Sequence, residues 1–143
     1  MDDRDEFGRT ALHYAASEND SDEAQRLLAA GAAVDARDND QWTPLIFAAQ
    51  MGFAYITTLL LAHGADVNAV NSSGRSALAR AVMAPKNDGS SDAIATVRVL
   101  RARGADATSK TITSDYFDPI SPLDVVRDHM SDAEIAAEFA DIL

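Results

Sequence analysis

The chain has 143 residues, enough for one ordinary domain, with no cysteine and a formal net charge of −11. That charge argues against general nucleic-acid binding, which needs a basic surface. The lack of cysteine leaves neither a disulfide framework nor thiolate chemistry.

The opening Met1-Asp2-Asp3-Arg4-Asp5 is acidic and lacks the apolar core of a signal peptide. No apolar run is long enough to span a membrane. The expectation is a cytoplasmic protein, a monomer when free. Thr10 can cap a helix that carries Leu12, Ala15 and Ala16 inward. Asn19 tolerates the left-handed turn that ends it, and Asp20 with Glu23 has capping-box spacing for a second helix packed through Ala24, Leu27 and Leu28.

The next stretch, Asp38 to Ala69, states the pattern most clearly. Thr43 caps, Pro44 suits the first helical position, and Gly52 suits the left-handed turn that follows. Ile56, Leu59, Leu60 and, weakly, Ala62 give a second helix an apolar side, and Gly64 ends it. Gln41 stands where a turn would prefer glycine, so either the turn is strained there or its shape differs.

Gly74-Arg75-Ser76-Ala77-Leu78 opens a third unit. Pro85 stops its inner helix, Asp88-Gly89 forms a turn, and Ser91 or Asp92 caps the helix bearing Ile94, Val97, Val99 and Leu100. Arg98, Arg101 and Arg103 on that helix read as a solvated outer face, the alternative being a site for phosphate or an acidic partner. A second insertion, Thr111 to Ile120, includes Thr-Ile-Thr, which favours a strand. Tyr116 and Phe117 in it are either a lid over the last unit or part of a binding edge. Ser121-Pro122-Leu123 then starts a terminal unit with Val125 and Val126 inward. Ser131 and Glu134 form a capping box for a last helix with Ile135, Phe139 and Ile142 on one side.

The spacing joins these units. Thr10, Thr43 and Ser76 stand 33 residues apart, as do Leu12, Leu45 and Leu78, and Ala15, Ala48 and Ala81. With Gly8-Arg9-Thr10-Ala11-Leu12-His13, Trp42-Thr43-Pro44-Leu45 and the Gly-Ala closings at Gly31, Gly64 and Gly104, this resembles the ankyrin-repeat family. The resemblance implies an all-α helix-turn-helix solenoid with short β-turn hairpins between repeats. It is read as a single domain over 1–143, with repeats at about 5–37, 38–70, 71–110 (insertion near 85–91) and 111–143 as the C-terminal cap. It also implies that His13 hydrogen-bonds within and between turns rather than serving a ligand.

No enzyme constellation stands out. His13, His63 and His129 lack metal-ligand spacing, no Gly-rich phosphate loop exists, and no cofactor, metal site or catalytic residue is expected. Ankyrin-like repeats usually bind a partner protein on a concave surface of turn tips and inner helices. Carried over by position, that surface takes Phe7, Arg9, Glu18, Asp40, Trp42, Gln50, Met51, Arg75 and Met83, with Tyr116 and Phe117 as a further edge. Arg9, Trp42 and Arg75 should form a row. The alternative is that Trp42 leans on its own turn while Met51 and Met83 fill gaps between helices.

The charge is uneven: residues 1–70 carry 4 basic and 12 acidic groups, residues 71–110 carry 7 and 3, and residues 111–143 carry 1 and 8. Either this serves solubility or it draws a basic partner. The functional expectation is a protein-binding adaptor or scaffold, with no nucleic acid and no membrane as partners. The alternative is an immunity-type inhibitor of a basic protein such as a bacterial toxin, and an enzyme is the remote third class.

Overall fold

The computed structural model describes residues 3–84, 92–129 and 133–142, leaving out the side chains of Phe117 and His129. The expected Pro85 stop, the Asp88-Gly89 turn and the Ser131 cap lie outside the described residues.

Among the described residues, eight helices come in four pairs: α1 (Ala11–Ser17) with α2 (Ser21–Ala29), α3 (Pro44–Gln50) with α4 (Ala54–Ala62), α5 (Ala77–Ala81) with α6 (Ala93–Ala102), and α7 (Pro122–His129) with α8 (Ala133–Ala137). First helices pack on first helices, α1 on α3, α3 on α5 and α5 on α7. Second helices likewise run α2, α4, α6, α8. Each pair is too short to bury its apolar face alone, so the core is continuous through the stack. Leu12, Leu45 and Leu78, one period apart, are all buried in it.

The helix starts follow local chemistry. Thr43 accepts from the Ile46 amide at 3.3 Å, Ser76 from Ala79 at 3.2 Å and Asp92 from Ala95 at 2.9 Å. Asp20 caps α2 through the Glu23 amide, but Glu23 does not return the bond; its carboxylate pairs with Arg26 instead. Ser121 and Asp124 make a reciprocal box at α7, with the Asp124 amide on Ser121 Oγ and the Ser121 amide on Asp124 Oδ2. In α4, Leu61 and Thr57 are buried with Ile56 and Leu60, whereas Ala62 is exposed. Thr57 is tolerated in the core because its hydroxyl donates to the Phe53 carbonyl at 2.9 Å.

Three expectations are corrected. Arg98 and Arg101 are not simply a solvated face: Arg98 pairs with Glu138, and Arg101 with Asp141 and the Glu138 carbonyl. Arg101 also lies 5.0 Å over the Phe139 ring, so the two arginines clamp the chain after α8 onto α6. The last helix ends at Ala137, so Phe139 is buried from the turn beyond it and Ile142 is exposed. Tyr116 is not a lid. Strands β1 (Ile112–Ser114) and β2 (Phe117–Ile120) pair antiparallel, and Tyr116 stands at their tip, 95% exposed.

Leu60 is fully buried in the middle of the stack. Leu60→Ala should cost about 2–5 kcal/mol by the cavity it leaves, read as a lower midpoint in urea unfolding. Gly74 and Gly104 both have positive φ, but a Cβ at Gly74 would sit 1.5 Å from the Thr111 carbonyl oxygen and one at Gly104 would meet nothing. Gly104→Ala should therefore cost roughly 1 kcal/mol, and Gly74→Ala about 2 kcal/mol more because backbone must move.

Candidate interaction surface

The face begins with the turns between repeats. Asp5, Asp38 and Asn71 stand one period apart, and each side chain closes its own turn. Asp5 Oδ1 accepts from the amides of Phe7 and Arg9, both at 2.9 Å. Asp38 Oδ1 accepts from Asp40 at 2.9 Å and Trp42 at 2.8 Å, and Asn71 Oδ1 from Ser73 at 3.0 Å and Arg75 at 3.1 Å. Such an Asx side chain substitutes for a backbone acceptor within a turn. Neighbouring turns are then joined: Asn39 donates its amide to the Phe7 carbonyl, Ser72 to Asp40 and Thr113 to Ser73. The β1–β2 hairpin thus continues the ribbon, helped by a 2.7 Å bond from the Thr111 hydroxyl to the Gly74 carbonyl.

His13 ties helix to ribbon. The Thr10 amide donates to its Nδ1 at 3.0 Å, so the proton sits on Nε2, which donates to the Trp42 carbonyl at 2.8 Å. The ring is buried, and burial first of all holds its pKa below the ordinary 6.5. Gln41 adopts φ +66°, the left-handed value taken by Gly8 and Gly74 one period either side. The strained alternative at this turn is the one the chain adopts.

Side chains from these turns lie over the inner helices in a regular stagger. Arg9 sits 5.0 Å over the Phe7 ring and 5.1 Å over Phe47, and its Nε meets Asp38 Oδ2 at 3.3 Å. Phe47 lies 4.9 Å from Trp42. Arg80 lies 5.0 Å from Trp42 on the next repeat's helix and donates to Gln50 Oε1. The row is therefore Arg9, Phe47, Trp42, Arg80, in which a turn residue of one repeat covers a helix residue of the next. Trp42 does lean on its neighbours, and Met51 is half-buried against the core. Phe7 is 50% exposed and Met83 62%. Glu18 and Asp40 are exposed, Gln50 and Arg75 half-buried, and Tyr116 stands apart on the hairpin tip. Phe117 has only its backbone described.

Phe47 and Arg80 were not among the residues read from the sequence as surface. The signal was present: they occupy one period position, with Tyr14 before them. Tyr55, 60% exposed on α4, was also missed; its hydroxyl accepts from Gln25 at 2.6 Å. Among the described residues, no group of His, Asp or Glu is arranged to hold a metal, and no helix is long and apolar enough to cross a membrane.

A family model of ankyrin repeats, in three copies, matches residues 12–111. The chain belongs to the ankyrin-repeat family. It is 41% identical over 80 residues to glycerophosphocholine phosphodiesterase gde1 of Schizosaccharomyces pombe, a match covering 55% of this chain and 7% of that protein. It is 43% identical over 76 residues to neurogenic locus notch homolog protein 1 of Mus musculus, covering 52% and 3%. It is 39% identical over 80 residues to a putative ankyrin repeat-containing protein of Treponema pallidum, covering 55% and 27%. The chain thus matches only a small part of each relative's length. Ankyrin repeats are protein–protein interaction modules and generally not enzymes. Helices α7 and α8 lie beyond the matched residues.

Neutral His13 sets a pH dependence for this ankyrin-repeat fold. Its depressed folded pKa means the unfolded chain takes up the proton first, so its contribution is intact above about 6.5 and is lost as pH falls toward the folded value. An NMR titration should put the His13 midpoint below 6.5.

Proposed function

We propose that the chain is a stoichiometric protein-binding module, an adaptor or scaffold, whose partner docks on a concave face of turn tips and inner helices. The reading extends the stack through α7 and α8 as a fourth, capping repeat, so that 1–143 acts as one domain. It places the protein in a reducing compartment such as the cytoplasm, consistent with the absence of cysteine.

The observation that carries the reading is the Arg9–Phe47–Trp42–Arg80 row, with exposed Phe7 near one end and exposed Met83 near the other. Aromatic and arginine anchors dominate interface energies, and apolar side chains held at the surface tend to mark partners. Glu18, Asp40, Gln50, Met51 and Arg75 would line the same face. The inhibitor reading draws on the −11 charge alone. It requires tight association whose rate falls with salt.

A pull-down from source-cell lysate tests the face. Phe7→Ala with Met83→Ala removes two exposed side chains and should leave the circular dichroism spectrum unchanged. Capture of the partner should fall with this variant and persist with Tyr116→Ala; the reverse pattern would move the site to the hairpin. Once the partner is known, Trp42→Ala should weaken binding by roughly 2 kcal/mol. It should also lower stability, since Trp42 packs on Phe47.

A further inference from the structure

The ten arginines differ in their partners: Arg4 and Arg37 are exposed and donate to backbone carbonyls, and Arg103 is exposed. Arg9, Arg26, Arg98, Arg101 and Arg127 each pair with a carboxylate. Arg75 and Arg80, both half-buried on the proposed face, have no ion pair among the described residues. Arg80 is held in place by Trp42 and Gln50, and among the described residues its buried Nε has no hydrogen-bond partner. Burial, and then the nearby charge of Arg75, hold the Arg80 guanidinium below its ordinary value. Among the described residues no carboxylate offsets them, unlike the Asp38 that steadies Arg9. Two like charges kept close and partly dehydrated in an otherwise acidic chain are complementary to an anion.

We propose that Arg75 and Arg80 anchor a carboxylate side chain of the partner protein, so that this face takes an acidic segment. The planar guanidinium suits a carboxylate through paired N–H donors, and stacking on Trp42 fixes its plane beforehand. The net charge of −11 then weakens non-specific docking of an acidic segment elsewhere on the chain. The inference rests on the reading of this face as the interaction surface.

The test uses a display library of random 12-residue peptides, selected on the folded full chain. Bound sequences should be enriched in Asp and Glu over the library. The selected consensus peptide should lose about tenfold in affinity on Arg75→Gln and on Arg80→Gln. Its own Glu→Gln or Asp→Asn version should lose as much on the wild type and little more on those variants. Arg75→Gln keeps the test sound if Arg80→Gln perturbs the fold. Peptides without acidic enrichment that still lose binding on Phe7→Ala would overturn the acidic anchor and leave the face intact. Peptides insensitive to both Phe7→Ala and the arginine variants would overturn both readings. Recovery of no acid-dependent binder would overturn the anchor.

Discussion

The structure depends on a single side-chain oxygen repeated every 33 residues. Oδ1 of Asp5, Asp38 and Asn71 each accepts two amides of its own turn. A turn held this way presents its remaining backbone groups at a fixed angle, and those groups bond the next turn. Asn39 to Phe7, Ser72 to Asp40 and Thr113 to Ser73 form one ribbon along the edge of the helices. Hydrogen bonds to a buried charged group are stronger than neutral ones, by roughly a factor of two. Asp38 is 3% exposed, which makes its turn the most committed of the three.

The ribbon also orients the proposed interaction surface. The six amides fixed by these oxygens belong to Phe7, Arg9, Asp40, Trp42, Ser73 and Arg75, so the bonds that close the turns aim side chains of the proposed face. His13 adds a second constraint by joining the inner helix to the Trp42 carbonyl. The proposed face and the fold therefore share backbone and, at Trp42, a side chain, while the most exposed groups of the face stand clear of the core. That is why exposed groups such as Phe7 and Met83 can change without loss of the core, whereas Gly74, wedged against Thr111, cannot.

Much of the fold was legible because it is local and periodic. Caps at Thr43, Ser76 and Asp92, the left-handed Asn19, and the glycines at 31, 64 and 104 follow from residue chemistry within a few positions. Less legible were contacts between repeats. Arg80 over Trp42, Arg101 on Phe139 and Asp141, and the placement of Tyr116 each join residues far apart in sequence or depend on what a hairpin leaves uncovered. A helical-wheel reading treats Arg98 and Arg101 as solvated because it cannot see the acidic chain end folded over them. The interaction surface was half legible. The 9, 42, 75 positions came from family pattern, but the stacking of Arg9 on Phe47 and of Trp42 on Arg80, each in the following repeat, is a property of the superposed units.

Native-state hydrogen exchange on wild type and Asp38→Ala tests the ribbon most directly. The account predicts slow exchange at the Asp40, Trp42, Asn39 and Ser72 amides of the wild type. In the variant, protection should fall at all four while the amide of Leu60, in the core of α4, keeps its own. Unchanged protection at Trp42 and Ser72 in Asp38→Ala would show that helix packing alone sets the turns, and would contradict the account.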